Sequence, residues 1–171
     1  MYLEAIAQMS KQLGQIDKWL DAAVAYAEQK KFDPNLYLGF RLAPDQFGFG
    51  RQVQIACDTA KQAAARLAGK EAPAHPDTET TIPELRARIQ SVRTYLGTFT
   101  AKDFEGAETR KVPLPFLPGG NKGALGTDYL VHFAQPNFYF HLVHAYAILR
   151  HNGVPLGKRD FLGPLTQTMP A

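Results

Sequence analysis

The stretch 136-PNFYFHLVHAYAILRHNGVP-155 carries the signals of one complete helix. Pro136 suits the first turn of a helix, where its missing N–H would have no partner. An apolar face follows at helical spacing and consists of Phe138, Leu142, Ala145, Tyr146 and Leu149. Asn152 and Gly153 suit the helix end, and Pro155 follows shortly after. The stretch therefore predicts an amphipathic helix packed on a helical core.

Three further helices are predicted upstream of this stretch. Residues 1–31 repeat an apolar side chain every three or four positions, with Gly14 as the only internal break. A second helix is predicted over about residues 50–68, with an inner face rich in alanine. A third begins after Thr81, where Pro83 and Glu84 suit a capped first turn, and ends near Gly97. Four helices without an internal repeat predict an all-α four-helix bundle.

The connecting segments differ from one another in character. Residues 32–48 contain two prolines, two glycines and four aromatic residues, so we expect this connector to fold back onto the bundle. The long segment 98–135 contains KVPLPFLPGGNKGALG at 111–126. This run predicts a short β-hairpin, with its turn at Gly119-Gly120-Asn121, or an ordered lid. The tail after residue 155 has no helical period and predicts an extended, partly packed segment.

Composition excludes several classes of protein. A chain of 171 residues is the size of a single domain, spanning residues 1–171. The net charge of +3 is mild, and the basic residues lie in scattered pairs, so specific nucleic-acid binding is not expected. No apolar run reaches the roughly 18 residues of a membrane span, and the N-terminus lacks a signal peptide. The single cysteine, Cys57, suits a reducing compartment, which predicts a cytoplasmic protein.

Two motifs resemble a known family. The run FGFGRQVQIACDTAK at 47–61 and the run AYAILRHNGVPLGKRDFLG at 145–163 resemble an uncharacterised branch of the DinB/YfiT-like superfamily. The resemblance spans nearly the whole chain and implies a four-helix bundle that forms a homodimer. Many members of that superfamily hold a divalent metal through one histidine of the second helix and a His-x-x-x-His pair of the fourth. Some use the metal for thiol transfer or hydrolysis.

The resemblance places the three metal-ligand positions on Gln54, Asn137 and His141. Of these, only His141 is a histidine, and neutral amides are weak ligands for zinc or nickel. The sequence therefore predicts a degenerate site with no bound metal or other cofactor. The mixture of these polar groups with aromatic residues suggests a pocket for a small molecule.

Other side chains near these positions have alternative interpretations. Asp58 follows Gln54 by one turn and is either a general base facing the pocket or an exposed carboxylate. His141 and His144 are three residues apart and could share a metal with His132, Asp58 or Asp128, or both could be satisfied by hydrogen bonds. Tyr146 is expected either in the pocket or in the core.

The remaining chemically active side chains are weaker candidates. Cys57 is expected to be a buried, inert thiol, because its neighbours Ile55, Ala56 and Ala60 are apolar. His75 lies in a polar link and is expected to be exposed. His151 suits the end of a helix, where a cation favours the helix dipole.

Two functional hypotheses follow. The first is a non-enzymatic, homodimeric bundle that binds a small molecule or acts as an interaction protein. Its candidate pocket residues are Gln54, Asp58, Asn137, His141, His144 and Tyr146. The alternative is a divalent-metal-dependent hydrolase or thiol transferase that uses His141 and His144. The sequence favours the first because two of the three metal-ligand positions carry amides.

Overall fold

Four long helices form the bundle. The computed structural model describes residues 1–115, 118 and 122–165. The helices are α1 (Tyr2–Lys30), α2 (Phe49–Ala68), α3 (Ile82–Leu96) and α4 (Gln135–His151). Each begins and ends within one or two residues of the position that the sequence predicts. The all-α four-helix bundle is confirmed.

The helix ends form for the local reasons that the sequence indicates. Thr81 caps α3 in a capping box, in which the Thr81 hydroxyl accepts from the Glu84 N–H and the Glu84 carboxylate accepts from the Thr81 N–H. Gly153 follows the C-terminal end of α4 with φ at +91°. A Cβ atom at Gly153 would lie 2.4 Å from the Tyr26 hydroxyl, so only glycine fits there.

Helix α2 is central and packs against all three of its neighbours, most extensively against α4. Its inner face is made of fully buried small side chains, namely Ala56, Ala60, Ala63 and Ala64. Small side chains let a neighbouring helix approach closely. Large residues from the other helices, including Trp19 and Phe138, complete the core with no exposed surface. The close approach of α2 and α4 brings polar side chains of the two helices into direct contact.

The connector between α1 and α2 folds back onto the bundle, as predicted. It contains a 3₁₀ helix at Pro34–Gly39, and the ring of Tyr37 is fully buried between those of Phe32 and Phe40. Asn35 Oδ1 accepts a hydrogen bond of 2.9 Å from the N–H of Ile82, the first residue of α3. The connector therefore fixes the start of α3 as well as linking α1 to α2.

A β-hairpin lies between α3 and α4, so the hairpin prediction is confirmed. Strand β1 (Lys111–Pro113) pairs antiparallel with β2 (Gly123–Leu125), with Val112 opposite Ala124. The predicted turn at Gly119-Gly120-Asn121 lies outside the described residues. A 3₁₀ helix at Ala101–Phe104 precedes the hairpin. A helical turn (Gly126–Asp128) and a π-helical segment (Tyr129–Ala134) lead from it into α4, and the sequence did not predict either.

The C-terminal segment contains a short helix, α5 (Lys158–Leu162), so the prediction of an extended segment is wrong there. The Asp160 carboxylate accepts from the Gly157 N–H at 2.7 Å and stabilises this turn locally. Trp19 Nε1 donates to the Asp160 carbonyl at 2.9 Å, and the rings of Trp19 and Phe161 stack. No helix in the described part of the chain is both long and apolar enough to cross a membrane.

Candidate functional site

Helix α2 carries polar side chains on two different faces. Gln52 and Thr59 are seven residues apart, which is close to two full turns, so they share one face. That face meets α4, since Gln52 bonds His141 and Thr59 bonds Asn137. Gln54 is two residues after Gln52 and points about 160° away from it. The structure therefore separates Gln54 from Asn137 and His141, which corrects the prediction that the three share one pocket.

His141 is buried at the junction of α2 and α4, with 7% of its surface exposed. Gln52 Nε2 donates to the carbonyl of Phe47, which turns its Oε1 atom toward His141. Nδ1 of His141 donates to this oxygen at 2.7 Å. In the neutral ring, Nε2 is then the nitrogen without a proton. Within the described residues, no hydrogen bond reaches Nε2.

The imidazole of His141 is neutral at physiological pH. Burial lowers its pKa from 6.5 to about 4, and the nearby charges of His144 and Arg51 act in the same direction. A neutral, deprotonated Nε2 can accept a hydrogen bond or bind a metal. The junction therefore offers one acceptor atom that the protein itself does not use.

Asn137 lies one turn before His141 on α4 and is half-buried. Its Nδ2 atom donates to Thr59 Oγ1 at 2.8 Å. This hydrogen bond uses the hydroxyl of α2 that lies nearest to Asn137 along the junction. Both residues are neutral, so the contact links α2 to α4 without contributing charge.

His144 lies on the outer side of α4 and is half-buried. Its Nδ1 atom donates to the backbone carbonyl of Phe140 at 2.6 Å, and its ring packs on the Phe140 ring with centroids 4.1 Å apart. The ring of Phe140 also contacts His141 edge-on at 5.2 Å. The structure thus brings His141 and His144 onto one surface, with Phe140 between them.

Phe140 contacts both histidines, and Phe47 and Arg51 adjoin them through α2, since the Phe47 carbonyl accepts from Gln52 and the charge of Arg51 acts on His141. Phe140 is 53% exposed and Phe47 is 56% exposed, and the guanidinium of Arg51 lies over the Phe47 ring at 5.9 Å. Aromatic and arginine side chains are enriched where proteins bind partners. We name the surface made of Phe47, Arg51, Phe140, His141 and His144 the His141 patch.

Tyr146 lies away from the His141 patch, in the packing of the C-terminal segment. Its ring meets the edges of Trp19 and Phe161, each at a centroid distance of 5.5 Å. Of the two interpretations of Tyr146, the structure supports the core position.

Gln54 and Asp58 face α3 and the link before it. Gln54 Nε2 donates to Glu79 at 2.8 Å. Asp58 forms ion pairs of 2.9 Å with both Lys61 and Arg88. The guanidinium of Arg88, only 1% exposed, also pairs with Glu79 at 3.0 Å and with Asp77 at 2.9 Å. Asp58 is therefore an ion-paired carboxylate rather than a free surface carboxylate, and its two cationic partners do not suit a general base.

His75 is half-buried, so the prediction of an exposed side chain is wrong. Its Nδ1 atom lies 3.1 Å from the ammonium of Lys61, and its Nε2 atom lies 2.9 Å from the hydroxyl of Ser91. A lysine ammonium can only donate, so Nδ1 accepts and the proton of His75 is on Nε2. With this proton arrangement His75 cannot take a proton from Ser91, so the pair is not a nucleophile and its base.

The described residues do not form a three-ligand metal site. No three side chains of the His, Cys, Asp and Glu types gather there closely enough to hold an ion. His132 and Asp128, two of the third donors considered for His141 and His144, are exposed on the segment that leads into α4. Asp58, the remaining third donor considered, is paired with Lys61 and Arg88. Burial raises the pKa of the Cys57 thiol to about 12, so this side chain is an inert core residue as predicted.

A small cleft lies beside the Asn137–Thr59 contact. It has a volume of about 150 Å³ and is lined by Asp58, Thr59, Gln62, Arg66, Tyr129 and Phe133. Pockets for drug-sized molecules measure roughly 300–1,000 Å³. The cleft can take only a few atoms of a ligand.

The comparisons with known proteins agree with this architecture. A family model described as domain of unknown function (DUF1993) matches residues 1–162. The chain belongs to this family. The DUF1993 chain is also 48% identical to a solved structure, the crystal structure of a DinB family member protein from Shewanella denitrificans. That match has a TM-score of 0.91 and covers 96% of this chain and 93% of the other. No curated protein matches.

Four important side chains of the DUF1993 chain were missed from the sequence. Gln52 and Thr59 continue the inner stripe of α2 in steps of three or four residues from Ala56, and this phase could have found them. Lys61 and Arg88 also meet His75, Asp77 and Glu79 in a link without any period, so no sequence pattern indicates these contacts.

Proposed function

We propose that this DinB-like protein is a non-catalytic binding protein that recognises a small molecule at the His141 patch. The observation that carries the proposal is the unused acceptor atom of His141. Its ring is held by Gln52, its Nε2 atom has no hydrogen bond within the described residues, and the exposed ring of Phe140 meets it edge-on. A few converging polar groups among aromatic walls are typical of small-molecule sites.

The chemistry of the patch indicates the type of ligand. The Nε2 atom of neutral His141 accepts a hydrogen bond, so the ligand carries an N–H or O–H donor. Phe47 and Phe140 offer ring faces and edges, which favour an apolar or aromatic group on the ligand. The guanidinium of Arg51 already contacts Gln54 and Asp77, so it serves as a wall more than as an anion receptor.

The proposal is tested by screening a fragment library with ¹H–¹⁵N NMR. Binders are expected to shift the imidazole signals of His141 and the amides of Phe140 and Phe47. His141→Gln removes the imidazole acceptor and is expected to abolish these shifts. His151→Gln, a change at an exposed histidine of the same helix, is the matched control and leaves them in place. A library whose binders all avoid the patch contradicts the proposal.

A second candidate is a divalent-metal-dependent hydrolase or thiol transferase using His141 and His144. One feature favours it: both rings donate Nδ1–H to an oxygen, as metal-binding histidines usually do. A metal there needs further ligands from water or substrate, since two histidines alone make a weak site. Titration with zinc or nickel by calorimetry tests this candidate, and binding that disappears in both His141→Ala and His144→Ala supports it.

We also propose that the protein forms a homodimer through the outer face of α4. Val143 lies on this face, is 46% exposed and stands one turn from Phe140, so the dimer contact adjoins the His141 patch without covering it. Adjacent exposed apolar side chains are typical of association surfaces. Light scattering with size exclusion is expected to give twice the chain mass, and Val143→Asp is expected to give the monomer. A monomeric wild type contradicts this part of the proposal. The proposal also includes a reducing compartment, the cytoplasm, because a single cysteine, Cys57, suits such a compartment.

A further inference from the structure

The link between α2 and α3, residues 69–81, has no helix or strand. We name it the strap. Side chains rather than a backbone ladder hold it to the bundle, through His75, Asp77 and Glu79. Lys61 and Arg88 lie beneath it, and each has only 3% of its surface exposed. The strap thus covers two buried cations of the bundle.

The contacts of His75 depend on where its protons are. Lys61 donates to Nδ1, and Nε2–H donates to the Ser91 hydroxyl. Both contacts form together only when the imidazole is neutral, because a protonated ring has no acceptor. A proton on Nδ1 would place two N–H donors and two positive charges against each other at the 3.1 Å contact with Lys61.

We propose that His75 is a proton-responsive latch of the strap. Proton uptake at Nδ1 breaks the contact with Lys61 and releases residues 72–75, while the four helices stay folded. The ends of this segment stay attached, because Lys70 pairs with Asp103 and the Pro76 carbonyl accepts from Arg88. The second part of the strap remains attached, because Arg88 pairs with both Asp77 and Glu79.

The charges around His75 come from three elements. Helix α2 contributes Lys61 and Asp58, α3 contributes Arg88, and the strap contributes Glu79. Both carboxylates favour protonated His75, but both are already paired with the cations. Burial first, and then Lys61 and Arg88, lower the pKa of His75 from its ordinary value of 6.5. Because the folded pKa is lowered, the latch is closed above pH 6.5 and loses stability as the pH falls below it.

Relaxation of backbone ¹⁵N measured by NMR tests the latch between about pH 5 and pH 8. The heteronuclear NOE of Ala72, Ala74 and His75 is expected to fall as the pH falls, because the released segment moves on the ps–ns timescale. The ratio of released to attached strap rises by at most about tenfold per pH unit, because one proton is taken up. Residues of α2 and α3 are expected to keep a constant NOE.

Two variants make the test specific. His75→Gln keeps an acceptor for Lys61 and a donor for Ser91 but takes up no proton, so the NOE of its strap should not depend on pH. His151→Gln should behave like the wild type. The latch is refuted by a flat wild-type profile, by the same fall in His75→Gln, or by a fall that extends through α2 and α3.

Discussion

Two polar regions lie on different sides of α2, and their composition differs sharply. The α2–α4 junction consists of neutral pairs, Gln52 with His141 and Thr59 with Asn137. The region under the strap is built around Arg88, which pairs with three carboxylates, and the Lys61 ammonium pairs with one of these. This difference indicates which of the two regions is available to bind a ligand. The guanidinium of Arg88 holds the strap through its ion pairs. Nε2 of His141 in the junction, in contrast, has no hydrogen-bond partner among the described residues.

The largest expected effect comes from removing the centre of the charged region. Arg88→Met leaves Asp58, Asp77 and Glu79 without their shared cation. Breaking a buried ion pair from one side costs about 3–5 kcal/mol when the remaining charge is not compensated. Here that charge is the one on Glu79, because Asp58 keeps Lys61 and Asp77 keeps Arg51. We expect the free energy of unfolding in urea to fall by this amount.

Arg86→Met is the matched control on the same helix. Arg86 pairs with Asp17 and Asp21, whose side chains are 45% and 72% exposed. Exposed pairs contribute about 1 kcal/mol or less. Equal losses in the two variants would show that the Arg88 cluster has no special role.

The neutral region is expected to respond to acid through His141. Its folded pKa of about 4 is below the unfolded value of 6.5. Folding stability is therefore fully present above pH 6.5 and falls as the pH drops toward 4, by up to about 3 kcal/mol. His141→Gln should lose less stability over this range, so the difference between the two proteins isolates the imidazole. Parallel curves would show that His141 titrates normally.

The next prediction compares the two hydrogen bonds of the junction, Gln52 with His141 and Thr59 with Asn137. Gln52→Leu leaves the Nδ1–H of buried His141 without an acceptor, which costs about 1–3 kcal/mol. Thr59→Val removes the partner of half-buried Asn137, where water can substitute, and should cost about 0.5–1.5 kcal/mol. Thermal unfolding of both variants shows which one loses more stability. A larger loss of stability for Thr59→Val than for Gln52→Leu would show that the Asn137–Thr59 hydrogen bond is the dominant contact.

The sequence predicted the bundle well because its signals are local. The apolar period defines the long helices, and the caps at Thr81 and Gly153 set two of their ends. The short helix α5 and the π-helical segment before α4 were not predicted, because tertiary contacts such as that between Trp19 and Asp160 support them.

The candidate site was predicted only on the side of α4. Asn137 and His141 are one turn apart and lie on the same face, as their spacing requires. Their partners on α2 are Gln52 and Thr59 rather than Gln54, since a motif alone does not specify helical phase to within two residues. The partners of His75 come from α2 and α3, a pairing that no local pattern encodes.

The most direct test of the account is the metal content of untagged protein purified from medium supplemented with zinc and nickel. If His141 accepts a hydrogen bond from a ligand and binds no metal, the protein should hold well under one metal ion per chain, with no difference between the wild type and His141→Ala. One ion per chain in the wild type, lost in His141→Ala, would contradict it and would make His141 a metal ligand.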